Sequence, residues 1–302
     1  MPTSQPPARS NHDRLLVLLA WSVMLLVSDL PNMLLRYTIS EPVWLSLSKT
    51  ALLIGFLTVS LAFARLRPLW KYGLVFAVFY LAKSASQWVA QSIVWQAWFG
   101  GHQASFWVGW LGALLPDAGM TVIMVLVTWA VMRRREAALL VLGRWNATLE
   151  PVRWLGIRQA ESWKVFGWIF SGCIVLGVGV FVVASAGPAL GNAPRILPLL
   201  PAVVLFAAMN SLEEELSYRA PLLATSHEVI GRGPSLWLTA VFFGLAHALY
   251  GTPAGIVGFV YTGLVAYLFG KSMLETHGSG WAFVMHTIAD IPIFLLYALK
   301  SV

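Results

Sequence analysis

The stretch ILPLLPAVVLFAAMNSLEEELSYRAPLL, residues 196–223, decides the fold. Ile196 to Met209 is an unbroken apolar run, yet Glu213, Glu214, Glu215 and Arg219 follow within two turns, in a chain where only 11% of residues are charged. An ionised side chain facing lipid at mid-helix costs about 2.5–3.5 kcal/mol on insertion scales. Four such residues together must therefore face protein, water or the membrane surface.

The rest of the chain supplies the membrane. Of its 302 residues 58% are hydrophobic, mean hydropathy is +0.74, and several apolar runs approach or exceed the ~20 residues a helix needs to cross a bilayer. The expectation is an all-α, polytopic transmembrane helical bundle: an integral, multi-pass protein of a bacterial cytoplasmic membrane. Candidate spans are 15–35, 43–64, 69–92, 111–132, 165–186, 197–219, 235–250, 254–270 and 281–299, so eight or nine segments are expected. The stretches 235–250 and 254–270 are short and flanked by Gly and Pro, so either fits a broken or re-entrant piece.

Charge sets the orientation. Arg65, Arg67 and Lys71 lie between the second and third spans, seven Lys and Arg from Arg133 to Lys164 lie between the fourth and fifth, and the loop 93–110 has none. The two basic loops and the amino terminus are expected to be cytoplasmic. The net charge of +7 is then mostly topogenic, and no nucleic-acid partner is implied. Residues 1–14 read as a disordered cytoplasmic tail. The run from Leu15 to Leu35 reads as an uncleaved span, because no small-residue cleavage site follows it. The segment 136–163 mixes Leu, Val and Trp with Arg and Glu, which fits surface-lying helices or an ordinary charged loop on the cytoplasmic side. Asn146-Ala147-Thr148 matches a glycosylation acceptor that would stay bare there. The single Cys173 offers neither a disulfide framework nor a cysteine metal site, and the ending LKSV is not a prenylation box.

Residues that could carry chemistry concentrate after 190. On a helix Glu215 and Arg219 share a face at i, i+4, acid before base, and can neutralise each other. Glu214 points away, on the side of Asn210 and Ser217, as a carboxylate without a local partner and a candidate general base. His247 lies inside a later apolar run one turn after Phe243, and His286 and Asp290 lie at i, i+4 inside the last. Each histidine singly fits a hydrogen-bonded packing role. Jointly, an acid, a histidine to hold water and a second polar pair form the set that hydrolysis needs. Asp29, Lys49, Lys83 and Asp117, also within spans, read as snorkelling or interhelical pairs, and the 15 tryptophans as interface anchors and core.

Glu214-Glu215-Leu-Ser-Tyr-Arg219 reads as E-E-x-x-x-R, Phe243-Gly-Leu-Ala-His247 as F-x-x-x-H, and His286-Thr-Ile-Ala-Asp290 as H-x-x-x-[ND]. In this order the motifs resemble the CPBP family, the CaaX proteases and bacteriocin-processing enzymes that include the Ras-converting CaaX endopeptidase. The resemblance covers about residues 196–299. It implies an intramembrane glutamic endopeptidase in which Glu214 is the base and holds water with His247, His286 and Asp290 support the oxyanion, and Glu215, Arg219 and Phe243 support the site. The family often has Asn at the last position. Asp290 can donate to an oxyanion only if protonated, and otherwise orients His286. A register with Glu213 as base stays open.

The chain then divides into a membrane region 15–190 and a C-terminal catalytic membrane region 191–302. The implied partner is a membrane-associated protein or peptide substrate, cleaved near its C-terminus or leader, beside the lipid bilayer itself. No cofactor and no metal is implied, since there is no H-E-x-x-H. The alternatives are a non-catalytic scaffold or immunity protein and a proton-coupled carrier, although no inverted repeat is visible. Strict alternation of spans raises a conflict, placing Glu214 and His247 at opposite ends of neighbouring helices. A broken helix and a water-filled cavity open to the cytoplasm would resolve it.

Overall fold

The computed structural model describes residues 14–35, 41–100 and 105–302, so the tail 1–14 expected to be disordered lies outside the described residues except for Arg14, which is helical. The chain is 82% helical and forms a helical membrane bundle. In order the helices are α1 (Arg14–Val27), α2 (Leu30–Leu34), α3 (Val43–Ala62), α4 (Trp70–Gln91), α5 (Ile93–Phe99), α6 (Phe106–Met132), α7 (Trp163–Ala186), α8 (Leu200–Glu214), α9 (Ala220–Ile230), α10 (Arg232–Tyr250), α11 (Gly255–Thr276) and α12 (Gly280–Lys300). Local chemistry sets many of the ends. The hydroxyls of Ser92, Ser105 and Ser162 accept from the first-turn amides of Trp95, Val108 and Lys164. Gly231, at φ +91°, ends α9 and turns the chain into α10.

Five stretches among the described residues are long and apolar enough to cross a membrane: Val43–Ala62, Phe106–Met132, Trp163–Ile230, Gly255–Thr276 and Gly280–Lys300. Eight or nine spans are therefore not established. Helix α1 has only 14 residues, and α4 and α10 fall short in hydropathy because they carry residues such as Lys83, Gln87, Gln91 and His247 that face an internal cavity. The stretches 235–250 and 254–270 are not broken. They lie in α10 and α11, two continuous antiparallel helices. Their backbones meet closely: a Cβ on Gly258 would lie 2.8 Å from the His247 carbonyl oxygen.

The segment 136–163 forms no surface-lying α-helices. It folds as turns and an antiparallel pair, β1 (Thr148–Leu149) with β2 (Glu161–Ser162), in the register Thr148↔Ser162 and Leu149↔Glu161. Part of its apolar set is buried: Ala138, Leu139, Leu149 and Val152 are all less than 5% exposed, whereas Leu142 and Trp154 are exposed. The segment docks by backbone hydrogen bonds on the α11–α12 turn, from Arg144 N–H to the Thr276 carbonyl, from Ser279 N–H to that of Val141 and from Gly280 N–H to that of Leu142. Glu275 anchors it from α11, accepting from Trp163 Nε1 at 2.7 Å and pairing with Lys271 and Arg232. Left-handed Gly143 fits because a Cβ there would meet the Thr276 carbonyl at 2.7 Å.

Two buried clusters hold the bundle. One joins α6 and α7 to α8, α11 and α12 through Phe106, Ile174, Phe206, Phe269 and Phe294, and the other joins α1, α3, α4 and α6 to α9 and α10 through Phe76, Phe79, Leu222 and Phe242. Packing thus runs across residue 190. Large apolar side chains such as Leu176, Val180, Ile93 and Ile256 are exposed, as suits a lipid-facing perimeter.

Candidate active site

The site begins with a proline. Pro221 has no N–H to give the Ser217 carbonyl, and its ring would collide with that carbonyl in a regular α-helix. The chain does not break. It widens into one π-helical turn over Glu215–Arg219, with Ala220 N–H reaching back five residues to the Glu215 carbonyl. Helices α8 and α9 thereby form one rod of 31 residues from Leu200 to Ile230, about 46 Å long at 1.5 Å per residue.

That length removes the conflict over depth. With the turn at Gly231, Glu214 lies 17 residues before it and His247 16 residues after it, so the two come level on antiparallel neighbours. Ending the span at 219 had misplaced Glu214, which lies near the middle of its rod.

Glu215 and Arg219 form a fully buried ion pair, as the helical spacing predicts. Helix geometry alone does not show its third member. His286 Nδ1 donates to Glu215 Oε1 at 2.7 Å. The Arg219 guanidinium also lies 4.7 Å from the Phe243 ring and 5.4 Å from that of Phe269, which gives Phe243 a definite place as a cation–π partner. Glu215 Oε2 and Arg219 Nε and Nη2 have no hydrogen-bond partner among the described residues, so the two aromatic rings and His286 are what offset the desolvation of this buried pair.

The other nitrogen of His286 faces two more carboxylates. Nε2 lies 3.3 Å from Glu214 Oε2 and 3.6 Å from Asp290 Oδ2. Glu214 and Glu215 therefore straddle one imidazole ring, and the carboxylate expected to lack a local partner is met by a helix 72 residues on. Asp290 Oδ2 also accepts from Asn210 Nδ2 at 3.0 Å and Ser211 Oγ at 3.2 Å. Two hydrogen bonds from α8 thus converge on one carboxylate oxygen of α12. Sequence reasoning missed Asn210 and Ser211 as site residues. The signal was their position one turn before Glu214, but their partner lies 80 residues away.

His247 is positioned by its own helix. Its Nδ1 contacts the Phe243 carbonyl oxygen at 3.1 Å, and its ring stands 4.3 Å from that of Phe243, with Nε2 turned elsewhere. His247 and Glu214 line one cavity of about 430 Å³, together with Lys83, Tyr218 and Tyr250. A second cavity of about 70 Å³ is lined by His247, His286 and Asp290 with Tyr261 and Ile293. The pair Glu214–His286 therefore stands between two spaces that share His247 and Phe243. Glu213 is buried apart, lines neither, and has one carboxylate oxygen without a hydrogen-bond partner.

The remaining polar residues inside helices find interhelical partners or the cavity. Lys49 contacts Glu41 at 3.0 Å and Asn32 at 2.7 Å, Ser86 donates to Asp117, and Asp29 lines the larger cavity. Lys83 Nζ lies 5.6 Å from the ring of Tyr218. Of the tryptophans, Trp163 and Trp281 are fully buried core, whereas Trp88 and Trp98 are exposed.

Residues 196–292, which contain all three motifs, match the family model described as Type II CAAX prenyl endopeptidase Rce1-like. No curated protein and no solved structure matches the chain.

Proposed function

Because residues 196–292 carry the likeness to a type II CAAX prenyl endopeptidase, a membrane protease, we propose that this chain is a glutamic-type intramembrane endopeptidase with Glu214 as its base. Water held between Glu214 and His247 gives a proton to Glu214, and the hydroxide attacks the scissile carbonyl carbon. The carbonyl π pair moves to oxygen, and Nε2–H of His286 meets the oxyanion. Collapse breaks the C–N bond as Glu214 returns the proton to the leaving nitrogen. Asp290, held by Asn210 and Ser211, orients His286. Glu215, fixed by Arg219, takes the other ring hydrogen.

The observation that carries this reading is the position of Glu214, which lines the larger cavity beside His247 while its carboxylate lies 3.3 Å from His286 Nε2. In this arrangement the carboxylate occupies the place the oxyanion needs. Substrate entry would have to move it aside towards His247. The substrate is a membrane-associated protein or peptide, and the enzyme acts as a multi-pass protein of a bacterial cytoplasmic membrane with its amino terminus inside.

The test compares peptide termini in membrane and secreted fractions of cells carrying wild-type protein or Glu214→Gln at equal abundance. Termini lost with Glu214→Gln support proteolysis and name substrates. Identical termini favour a non-catalytic scaffold or a carrier.

A further inference from the structure

We propose that the cavity leading to Glu214 opens on the non-cytoplasmic face of the membrane, so that the substrate is a polar segment of an exported or outward-facing membrane-anchored protein. The identity of the substrate rests on the peptidase reading, whereas the side of opening does not.

Helix direction fixes two ends of the bundle. Tyr72 donates to the Ala20 carbonyl and Tyr80 to that of Val27, so α1 and α4 run parallel, and Arg232 pairs with Glu275 where α10 begins and α11 ends. One end therefore gathers the connections 63–70, 133–163, 231 and 277–279. The other gathers, among the described residues, 28–35, 41–42, 92–100, 187–199 and 251–254, with Asn192 reaching the Leu299 carbonyl at 3.0 Å.

The larger cavity belongs wholly to the second end. Its lining descends from Asp29, Glu41, Gln91 and Tyr250 at helix ends there to Lys83 and Glu214. The first end carries the β1–β2 segment, bonded onto the α11–α12 turn, and the cavity there, of about 950 Å³, is lined by Arg144, Glu150, Arg232 and Glu275 among others but by none of Glu214, His247, His286 and Asp290.

Charge then names the faces. The connections and flanks 63–71, 133–164 and 231–232 at the first end hold eleven Lys and Arg, whereas the described residues of those at the second end, with the final turn, hold Arg195 and Lys300. The basic end of a polytopic protein stays in the cytoplasm. The cavity consequently faces outward, against the cytoplasmic opening that the sequence suggested.

The lining also selects what enters. Every lining residue except Phe243, Ala246 and Gly251 carries a polar group, which suits a hydrated polypeptide and not a prenyl chain. A cytosolic CaaX tail would arrive at the wrong face with the wrong chemistry.

Cysteine labelling in spheroplasts tests the opening without requiring catalysis. In a full-length Cys173→Ala background, Ser84→Cys and Gln87→Cys sit in the cavity, and Arg153→Cys sits in the β1–β2 segment. A small, permanently charged thiol reagent added outside is expected to label both cavity cysteines as fully before permeabilisation as after. Arg153→Cys should label only after it. Labelling of the cavity cysteines only after permeabilisation, no labelling of them at all, or labelling of Arg153→Cys from outside would each overturn the proposal. Unchanged termini with Glu214→Gln would sink the peptidase reading and leave the labelling result standing.

Discussion

At the residue scale the site is one imidazole among three carboxylates, and the three differ in what else they touch. Glu215 is committed to Arg219, Asp290 to Asn210 and Ser211, and Glu214 alone among the three lines the larger cavity. Glu214→Gln keeps size and removes the base, so turnover is expected to fall ~10²- to 10⁴-fold with thermal stability nearly unchanged. A two-arm comparison at 290 separates orienting from donating. Asp290→Asn can still accept from Asn210 and Ser211, whereas Asp290→Ala leaves both donors bare. Turnover assays should find the Asn variant more active than the Ala variant, and equal losses would show that the hydrogen bonds from α8 do not matter. In the sequence Glu215 with Arg219, Phe243 with His247 and His286 with Asp290 stand out because their i, i+4 spacings put them on shared helix faces, and Glu214 stands out because it has no such partner. Asn210 and Ser211 do not, because a neutral side chain becomes part of a site only through its partner on another helix.

At the element scale the decisive feature is the π turn at Glu215–Arg219. Its cause, Pro221, stands in plain view in the sequence, but a proline in an apolar run signals a kink, a cap or a break equally well. Only the packing of α8 and α9 against α6 and α12 shows that the rod continues. Pro221→Ala restores the N–H that the Ser217 carbonyl lacks and permits a regular α-helix, which would rotate Glu214 and Glu215 relative to Arg219. Turnover should drop at least tenfold while the melting temperature holds or rises. Unchanged turnover would show that the turn does not set the geometry. A second prediction concerns the β1–β2 segment, whose docking rests on Glu275. Glu275→Ala strands Lys271, which is nearly buried, and removes the partner of Trp163 Nε1. Breaking such a buried pair costs about 3–5 kcal/mol. The melting temperature in detergent should fall, and limited proteolysis should cut within 136–163. Neither anchor was visible beforehand, since Lys271 and Glu275 lie a hundred residues from the segment they hold.

At the scale of the whole molecule the membrane character follows directly from composition, whereas the span count does not. A helix lining a polar cavity carries lysines, glutamines and histidines that lower its hydropathy, so α4 and α10 fall short of a criterion that α7 and α12 meet. The same polar faces are what the molecule is built around: α4 and α10 wall most of the larger cavity, and α7, α11 and α12 most of the smaller. The bundle has the β1–β2 segment at one end, a polar cavity reaching in from the other, and Glu214 halfway along its rod. The most direct measurement reconstitutes wild-type protein and Glu214→Gln in lipid vesicles with a substrate identified from lost termini, in ¹⁸O-labelled water with a chelator present. The account predicts cleavage by the wild type alone, with one ¹⁸O in the new carboxyl terminus. Cleavage abolished by the chelator, or equal cleavage by Glu214→Gln, would contradict it.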